Sequence, residues 1–520
     1  MNRLTRRLAT VVAAAVVASP ALALPATEAS ASVPAISPSA FGMHYLNRGT
    51  YPKVAFASAR IWDVPGVKWF ELQHDAPTFT PGIAGVTPDT STDGFDQSAL
   101  SKLDSVVQTF LNNHVDPMLT LGGTPSWAAN TSGCNTVDNT GHDWGTTTCA
   151  PVDNYTDSNG HSFGDPWVNY VTTLAQRYQG KVKYFELWNE PNLRNGYNGT
   201  IEKLALMQQS AYNILHAYGE KLVSPSIPFT VGGATWWLNK FLQAPGGKSF
   251  DITGLHLYPN DAAAKGGYGP EWSMNTALAG ARKILYNNGV GGRQVWDTET
   301  NVGRVPAHTS IGGGAAGAAA VARTFILATQ NKIARTFWYA ADDRGWGGVW
   351  LENSDYKTLS TAGIAYNKVR SLLVYKAALG CSRTTVGTNK WKYTCKFGTT
   401  TGHKTLLAIW TTGGSYTLKA PAGTKSYYTV TGVHRSAYAA KGDMLVGVVD
   451  DANERFAAVS GIETSAAKRG ETFTFIDVNT NKAINFGTLY DTSAAGRLII
   501  EYDARGDRAP RGGDLCVKLK

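Results

Sequence analysis

Cysteine is scarce: the chain has five in 520 residues, none of them in the CxxC spacing of a zinc site. There is no HExxH, no EF-hand loop and no histidine cluster, so no metal is expected. No GxGxxG or P-loop follows the first apolar strand, which weakens a nucleotide-binding, doubly wound reading; no cofactor is expected. Charged residues make up only 17%, too few for a disordered chain, while 43% hydrophobic residues supply a core. After the N-terminus no run of ~18 apolar residues occurs, so membrane insertion is not expected. Lysine and arginine are scattered without a basic block. The net charge of +9 therefore reads as a solvated basic surface, with no nucleic-acid partner expected.

The first 31 residues resolve part of that charge. Arg3, Arg6 and Arg7 precede an apolar stretch from Leu8 to Ala18, and Ala21-Leu22-Ala23 or Ala29-Ser30-Ala31 offers a small-residue cleavage site. Residues 1–31 read as a secretory signal peptide, and the mature protein is expected to be secreted. Export permits disulfides. The close pairs Cys134 with Cys149 and Cys381 with Cys395 are the natural bridges; Cys516 is then either a free thiol or a sign of another pairing.

From residue 41 short strand-like runs alternate with amphipathic stretches. The strand candidates are 41–46, 57–63, 116–123, 184–191, 229–235, 251–259, 294–303 and 334–340. Helical periodicity is clearest in 97–113, where Leu100, Leu103, Val106, Val107, Phe110 and Leu111 share a face, and recurs near 166–179, 202–218, 274–288, 315–331 and 360–373. Eight alternations imply parallel strands, and the closed arrangement is a (β/α)8 TIM barrel over residues 32–376. The glycine run Gly312–Gly314 before a helix reads as a flexible entry, since the lysine of a P-loop is missing. From 377 the pattern becomes short, alternating and turn-bounded, predicting a β-sandwich-like region over 377–440 and a β-rich segment with a polar tail over 441–520.

Barrel active sites lie at the C-terminal ends of the strands. Glu190 ends the fourth strand in Trp188-Asn189-Glu190-Pro191, and Glu299 ends the seventh in Trp296-Asp297-Thr298-Glu299. Strands four and seven face each other across a barrel mouth. Two facing carboxylates, one protonated and one ionised, are what glycosidic-bond cleavage needs. Arg60 is a candidate cation, with Asp63 as a competing partner for it. His256 and Tyr258 share a face of strand six, where a tyrosine hydroxyl can hold an ionised Glu299, and Trp338 is a candidate sugar-stacking floor. His44 and Trp127 are candidates for lining the cleft. Glu186 and Asp297, upstream on the same two strands, read as interior polar contacts. Asp342, Asp343 and Arg344 past strand eight are further sugar-contact candidates. Trp391, Tyr393 and Trp410 read as core packing in preference to a carbohydrate platform.

The stretches FGMHYL, ARIWD, LTLGGTPSWA, FELWNEPN, GLHLYP, WDTETNVG and FWYA give residues 41–375 a resemblance to secreted bacterial clan A glycoside hydrolases, most of all the family 39-like group. The resemblance implies retention of anomeric configuration, with Glu190 as acid/base, Asn189 on the sugar 2-hydroxyl and Glu299 as nucleophile. It implies site roles for Arg60, His256, Tyr258 and Trp338, and a small β-sandwich after the barrel. The expected activity is hydrolysis of a polysaccharide or oligosaccharide by a monomer. A transglycosylase, or a non-catalytic glycan-binding envelope protein on a barrel scaffold, is the alternative.

Overall fold

The structure is a computed structural model. It describes residues 33–412 except 47–50, 79–93, 139, 260–268, 305–307, 401 and 403, and beyond 412 only backbone strand segments between 427 and 485. The proposed signal peptide, the polar tail and Cys516 lie outside the described residues.

Eight parallel strands close on themselves. They are β1 (Phe41–Tyr45), β2 (Ser58–Ile61), β3 (Asp116–Leu121), β4 (Tyr184–Leu187), β5 (Lys221–Val223), β6 (Ile252–His256), β7 (Gln294–Thr300) and β8 (Ile333–Trp338). Each pairs with the next, β8 pairs back to β1, and β6 pairs with β7, which completes the (β/α)8 barrel. A further two-residue bridge, Ile227–Pro228, runs beside the end of β6. The strands are buried along nearly their whole length, as expected of parallel strands covered on both faces.

Seven long helices follow: α1 (Gln97–Asn112), α2 (Pro166–Tyr178), α3 (Ile201–Ala217), α4 (Ala234–Gln243), α5 (Leu278–Asn287), α6 (Ala315–Gln330) and α7 (Thr361–Leu373). Their starts are capped as the sequence dictates. The Asp96 carboxylate accepts from Ser98 and Ala99, and Asp165 accepts from Trp167 and Val168 just before Pro166 at the first helical position. The predicted apolar face of α1 is buried from Leu100 to Phe110, with Leu111 partly covered. The fifth strand is not where the sequence analysis puts it. Lys221–Val223 forms β5, whereas 229–235 turns into α4, and Gly233, in the left-handed region at φ +83°, is its N-cap.

The bottom of the barrel is plugged. The Arg335 guanidinium lies 4.5 Å from the Tyr184 ring centroid and 4.4 Å from that of Trp296, and pairs with Asp116 at 2.8 Å. Chemistry is thereby confined to the other end. The insertion after β3 is stapled by the Cys134–Cys149 disulfide.

After the barrel, β9 (Ala377–Gly387), β10 (Lys390–Gly398) and β11 (Lys404–Thr412) run antiparallel, with Cys381 bonded to Cys395. Two more strands, Met444–Asp450 and Arg455–Ile462, extend the same five-stranded sheet past residue 440, where the sequence analysis ends its sandwich region. Tyr393 and Trp410 stack at 5.2 Å and are buried, and the Trp410 indole donates to Glu271 at 2.7 Å. They pack the core and offer no carbohydrate platform. No helix among the described residues is long and apolar enough to cross a membrane.

Candidate active site

Arg60, at the end of β2, is the hub. It is fully buried, and a buried guanidinium is tolerated only when its donors are matched. Its Nε donates to Glu186 at 2.7 Å, Nη1 to Glu299 at 2.7 Å and Nη2 to Asn189 at 2.7 Å. A longer contact from Nη2 reaches Ser226 at 3.4 Å, and His44 Nδ1 lies 3.2 Å from Nη1. Glu186 also accepts from Thr120 at 2.8 Å, so it is the interior contact expected of it. Asp63 is not Arg60's hydrogen-bond partner. It pairs with His44 at 3.3 Å and Lys68 at 3.2 Å. Burial alone would raise the Asp63 carboxyl, but those two partners hold it well below the usual carboxylate range.

Glu190 and Glu299 converge. An oxygen of each and a nitrogen of His256 all lie within 4.8 Å of one another. The backbone that delivers Glu190 is unusual. Trp188 and Glu190 both sit in the left-handed region, at φ 58° and 47°. The turn is held by Trp188 N–H to the Leu121 carbonyl (2.7 Å), Glu190 N–H to the Ser226 carbonyl (2.9 Å) and the Trp188 indole to the Gly196 carbonyl (2.8 Å). Gly196 is required there because a β-carbon would collide with the Glu190 carbonyl.

The two carboxyls have different surroundings. Burial pushes the Glu190 carboxyl up to about 7, against the pull of Arg60. Its partner is His256 Nδ1 at 2.8 Å, and burial pushes that imidazole down to about 4, so the ring is neutral. A neutral ring accepts a hydrogen bond from the acid or, as its other tautomer, donates one to the carboxylate. It therefore suits both states of Glu190. Glu299 has one oxygen on Arg60 and the other on the Tyr258 hydroxyl, at 2.7 Å each.

Of the other predicted residues, His44 is in the site, between Arg60 and Asp63 and 3.7 Å from Glu299. Trp127 is half-buried in the loop after β3, where its indole donates to the Gln73 carbonyl at 3.0 Å and its ring packs edge-on against Tyr155. Trp338 does not form a floor. It is fully buried, 6.3 Å from Phe325 of α6, with its indole on the Val349 carbonyl. The reason is the two-residue period of a strand. Phe337 packs in the barrel interior with Met118 and Trp296, so the next residue on that side is Tyr339. Tyr339 reaches Asp63 at 3.3 Å and packs 4.5 Å from the His44 ring.

Sequence reasoning also missed Ser226 and Trp346. Ser226 lies just past the true β5, so finding it needs that strand correctly placed. Trp346 is half-buried and sits edge-on to both Tyr258 (5.3 Å) and Tyr339 (5.4 Å). Asp343 shapes its loop by accepting backbone N–H bonds from Gly345, Trp346 and Gly347. These bonds fix the backbone that carries Trp346. Arg344 lies over the Trp350 ring.

The site is thus two unlike carboxyls within reach of one bond, at a barrel mouth lined by aromatic rings. Residues 141–366, which hold both glutamates, match the family model described as "Glycosyl hydrolase catalytic core". The match makes this chain a glycoside hydrolase. No curated protein matches it. Among solved structures, the catalytic domain of a GH30 xylanase C from Talaromyces cellulolyticus is similar at 12% identity over 84% of this chain and 98% of that one, TM-score 0.46. A GH5-4 endoglucanase from Clostridium acetobutylicum is similar at 18% identity over 64% and 99%, TM-score 0.41. A GH128 endo-beta-1,3-glucanase from Sorangium cellulosum is similar at 16% identity over 63% and 97%, TM-score 0.34.

Proposed function

We propose that the chain is a secreted, retaining glycoside hydrolase related to the family 39-like group, acting on a polysaccharide or oligosaccharide. Glu190 is the acid/base and Glu299 the nucleophile. The observation that carries the reading is the separation of their oxygens, within 4.8 Å. Retaining enzymes place their carboxyls ~5–5.5 Å apart, whereas inverting enzymes need ~6.5–9.5 Å to admit a water between them.

In the first step protonated Glu190 gives its proton to the leaving-group oxygen while Glu299 attacks the anomeric carbon, forming a glycosyl-enzyme. Glu190, now ionised and supported by His256, then takes a proton from the water that releases the sugar. In this reading Asn189, whose Oδ1 accepts from Arg60 at 2.7 Å, meets a sugar hydroxyl. The two disulfides fit an oxidising compartment.

The sign of the pH dependence follows from Glu190. Its first task requires the protonated form, which burial preserves up to about 7. Activity (kcat/KM) is expected to fall about tenfold per pH unit above that value. In Glu190→Gln this basic limb should vanish from a residual rate measured with an aryl glycoside whose leaving group needs no proton. A limb that persists in the variant assigns it to another group.

Trp346 is proposed as a sugar-stacking wall. Trp346→Ala should raise KM for oligosaccharides by about 10-fold, a loss of ~1–1.5 kcal/mol, with kcat within about threefold. An unchanged KM would remove the ring from the sugar's path. The activity itself is tested by reducing-end release from xylan, beta-1,3-glucan, cellulose and a bacterial-glycan panel. Release by the wild type and none by Glu299→Gln supports hydrolysis; glycan binding without release by the wild type supports the binding-protein alternative.

A further inference from the structure

Between Asp297 and Glu299 the pairing of β7 with β6 slips by one residue: Asp297 faces Leu255 and Glu299 faces His256. A matching slip separates Asp297 from Thr300 against β8. Just past Asp297, strand seven therefore carries one extra residue relative to both neighbours, a bulge that re-aims Glu299; against β8 an opposite slip at Val295 and Trp296 offsets it. The regular strand β6 also ends here, at His256.

The next peptide, Leu257, is held by side chains instead. Its N–H donates to Asp297 Oδ1 at 3.0 Å, and its carbonyl accepts from the Thr300 hydroxyl at 3.2 Å. Leu257 separates the two β6-end residues that touch the carboxyls: His256, on Glu190, and Tyr258, on Glu299. Asp297 is fully buried, and its second oxygen, Oδ2, has no hydrogen-bond partner.

We propose that Asp297 is a positioning residue: with Thr300 it clamps the Leu257 peptide, setting His256 against Glu190 and Tyr258 against Glu299. One acceptor on strand seven thus aligns the partners of both carboxyls. The proposal rests on the hydrolase mechanism given above. Burial pushes the Asp297 carboxyl well up, and the charge of Glu299 adds to this while the Leu257 N–H opposes it. A neutral acid suits the role, because the carbonyl oxygen accepts the N–H bond without a second buried anion beside Glu299.

The test compares Asp297→Asn, which keeps an acceptor, with Asp297→Ala, which does not, and with Thr300→Val, which cuts only the other half of the clamp. Amide exchange at Leu257 is read without any substrate. It should be close to wild type in Asp297→Asn and about tenfold faster or more in Asp297→Ala. On whichever glycan of the panel the wild type cleaves, Asp297→Ala should lose about 10²-fold in kcat with KM within about threefold, and Asp297→Asn should recover most of it. Thr300→Val should fall between them, and it carries the test if Asp297→Ala does not fold. Asp297→Asn as poor as Asp297→Ala, or unchanged Leu257 exchange in Asp297→Ala and Thr300→Val, would overturn the clamp. A wild type silent on every glycan would count against the hydrolase reading, while Leu257 exchange would still decide the clamp.

Discussion

Glu299→Gln is expected to lower kcat/KM by about 10⁴-fold or more while the barrel stays folded. The amide keeps the shape and the Tyr258 contact, since its carbonyl still accepts the hydroxyl bond seen at 2.7 Å. It has no anionic oxygen to attack with, and its NH2 would face the Arg60 guanidinium, which now donates to the carboxylate at 2.7 Å. Loss of rate without loss of fold is therefore the signature. Glu299→Ala adds a sharper readout. It opens a space on the nucleophile's side of the sugar, so azide should restore turnover of an activated aryl glycoside and give a glycosyl azide of inverted configuration. In Glu190→Ala the azide attacks the glycosyl-enzyme instead, and the product should be retained. Activity near wild type in purified Glu299→Gln would remove it as the nucleophile.

The second large effect is expected at Arg60. Arg60→Met keeps the apolar stem and removes the donors shared by Glu186, Glu299 and Asn189. Glu186 is buried, and apart from Arg60 its contact is the Thr120 hydroxyl, so its charge would be left nearly uncompensated. Breaking such a buried pair costs about 3–5 kcal/mol. Thermal unfolding should drop by roughly 10 °C, with turnover lost as Glu299 loses its charged donor. Adding Glu186→Gln should recover part of the melting temperature, because the orphaned charge is gone, and should recover none of the activity. Equal melting temperatures for Arg60→Met and the double variant would show that Glu186 is not the source of the loss.

The residues that make up most of this site were legible because each ends a strand with a recognisable local pattern. Trp188-Asn189-Glu190-Pro191 and Thr298-Glu299 announce themselves, and the structure brings Glu190, Glu299, Asn189, Arg60, His256, Tyr258 and His44 together. The eight-fold alternation similarly implied a closed barrel. What escaped depends on registers and contacts that local pattern does not carry. Lys221–Val223 is three residues long, too short to show a period, while Phe229-Thr230-Val231 imitates a strand before the glycines that start α4. Trp338 drew attention as an aromatic at a strand end, but the alternation set by Phe337 hands the mouth to Tyr339. The Trp346 loop is folded by a local carboxylate, yet its use rests on contacts to Tyr258 and Tyr339. The bulge in β7 appears only when three strands are laid side by side.

The central claim, two glutamates working through a covalent glycosyl-enzyme, has one direct readout. The anomeric proton of the first product would be followed by NMR within minutes of adding enzyme to the glycan it cleaves, before mutarotation scrambles the signal. A product with the configuration of the bond that was broken is the predicted result. An inverted product would contradict the account, since inversion needs carboxyls ~6.5–9.5 Å apart, with room for a water beside the sugar, whereas oxygens of Glu190 and Glu299 here lie within 4.8 Å of each other.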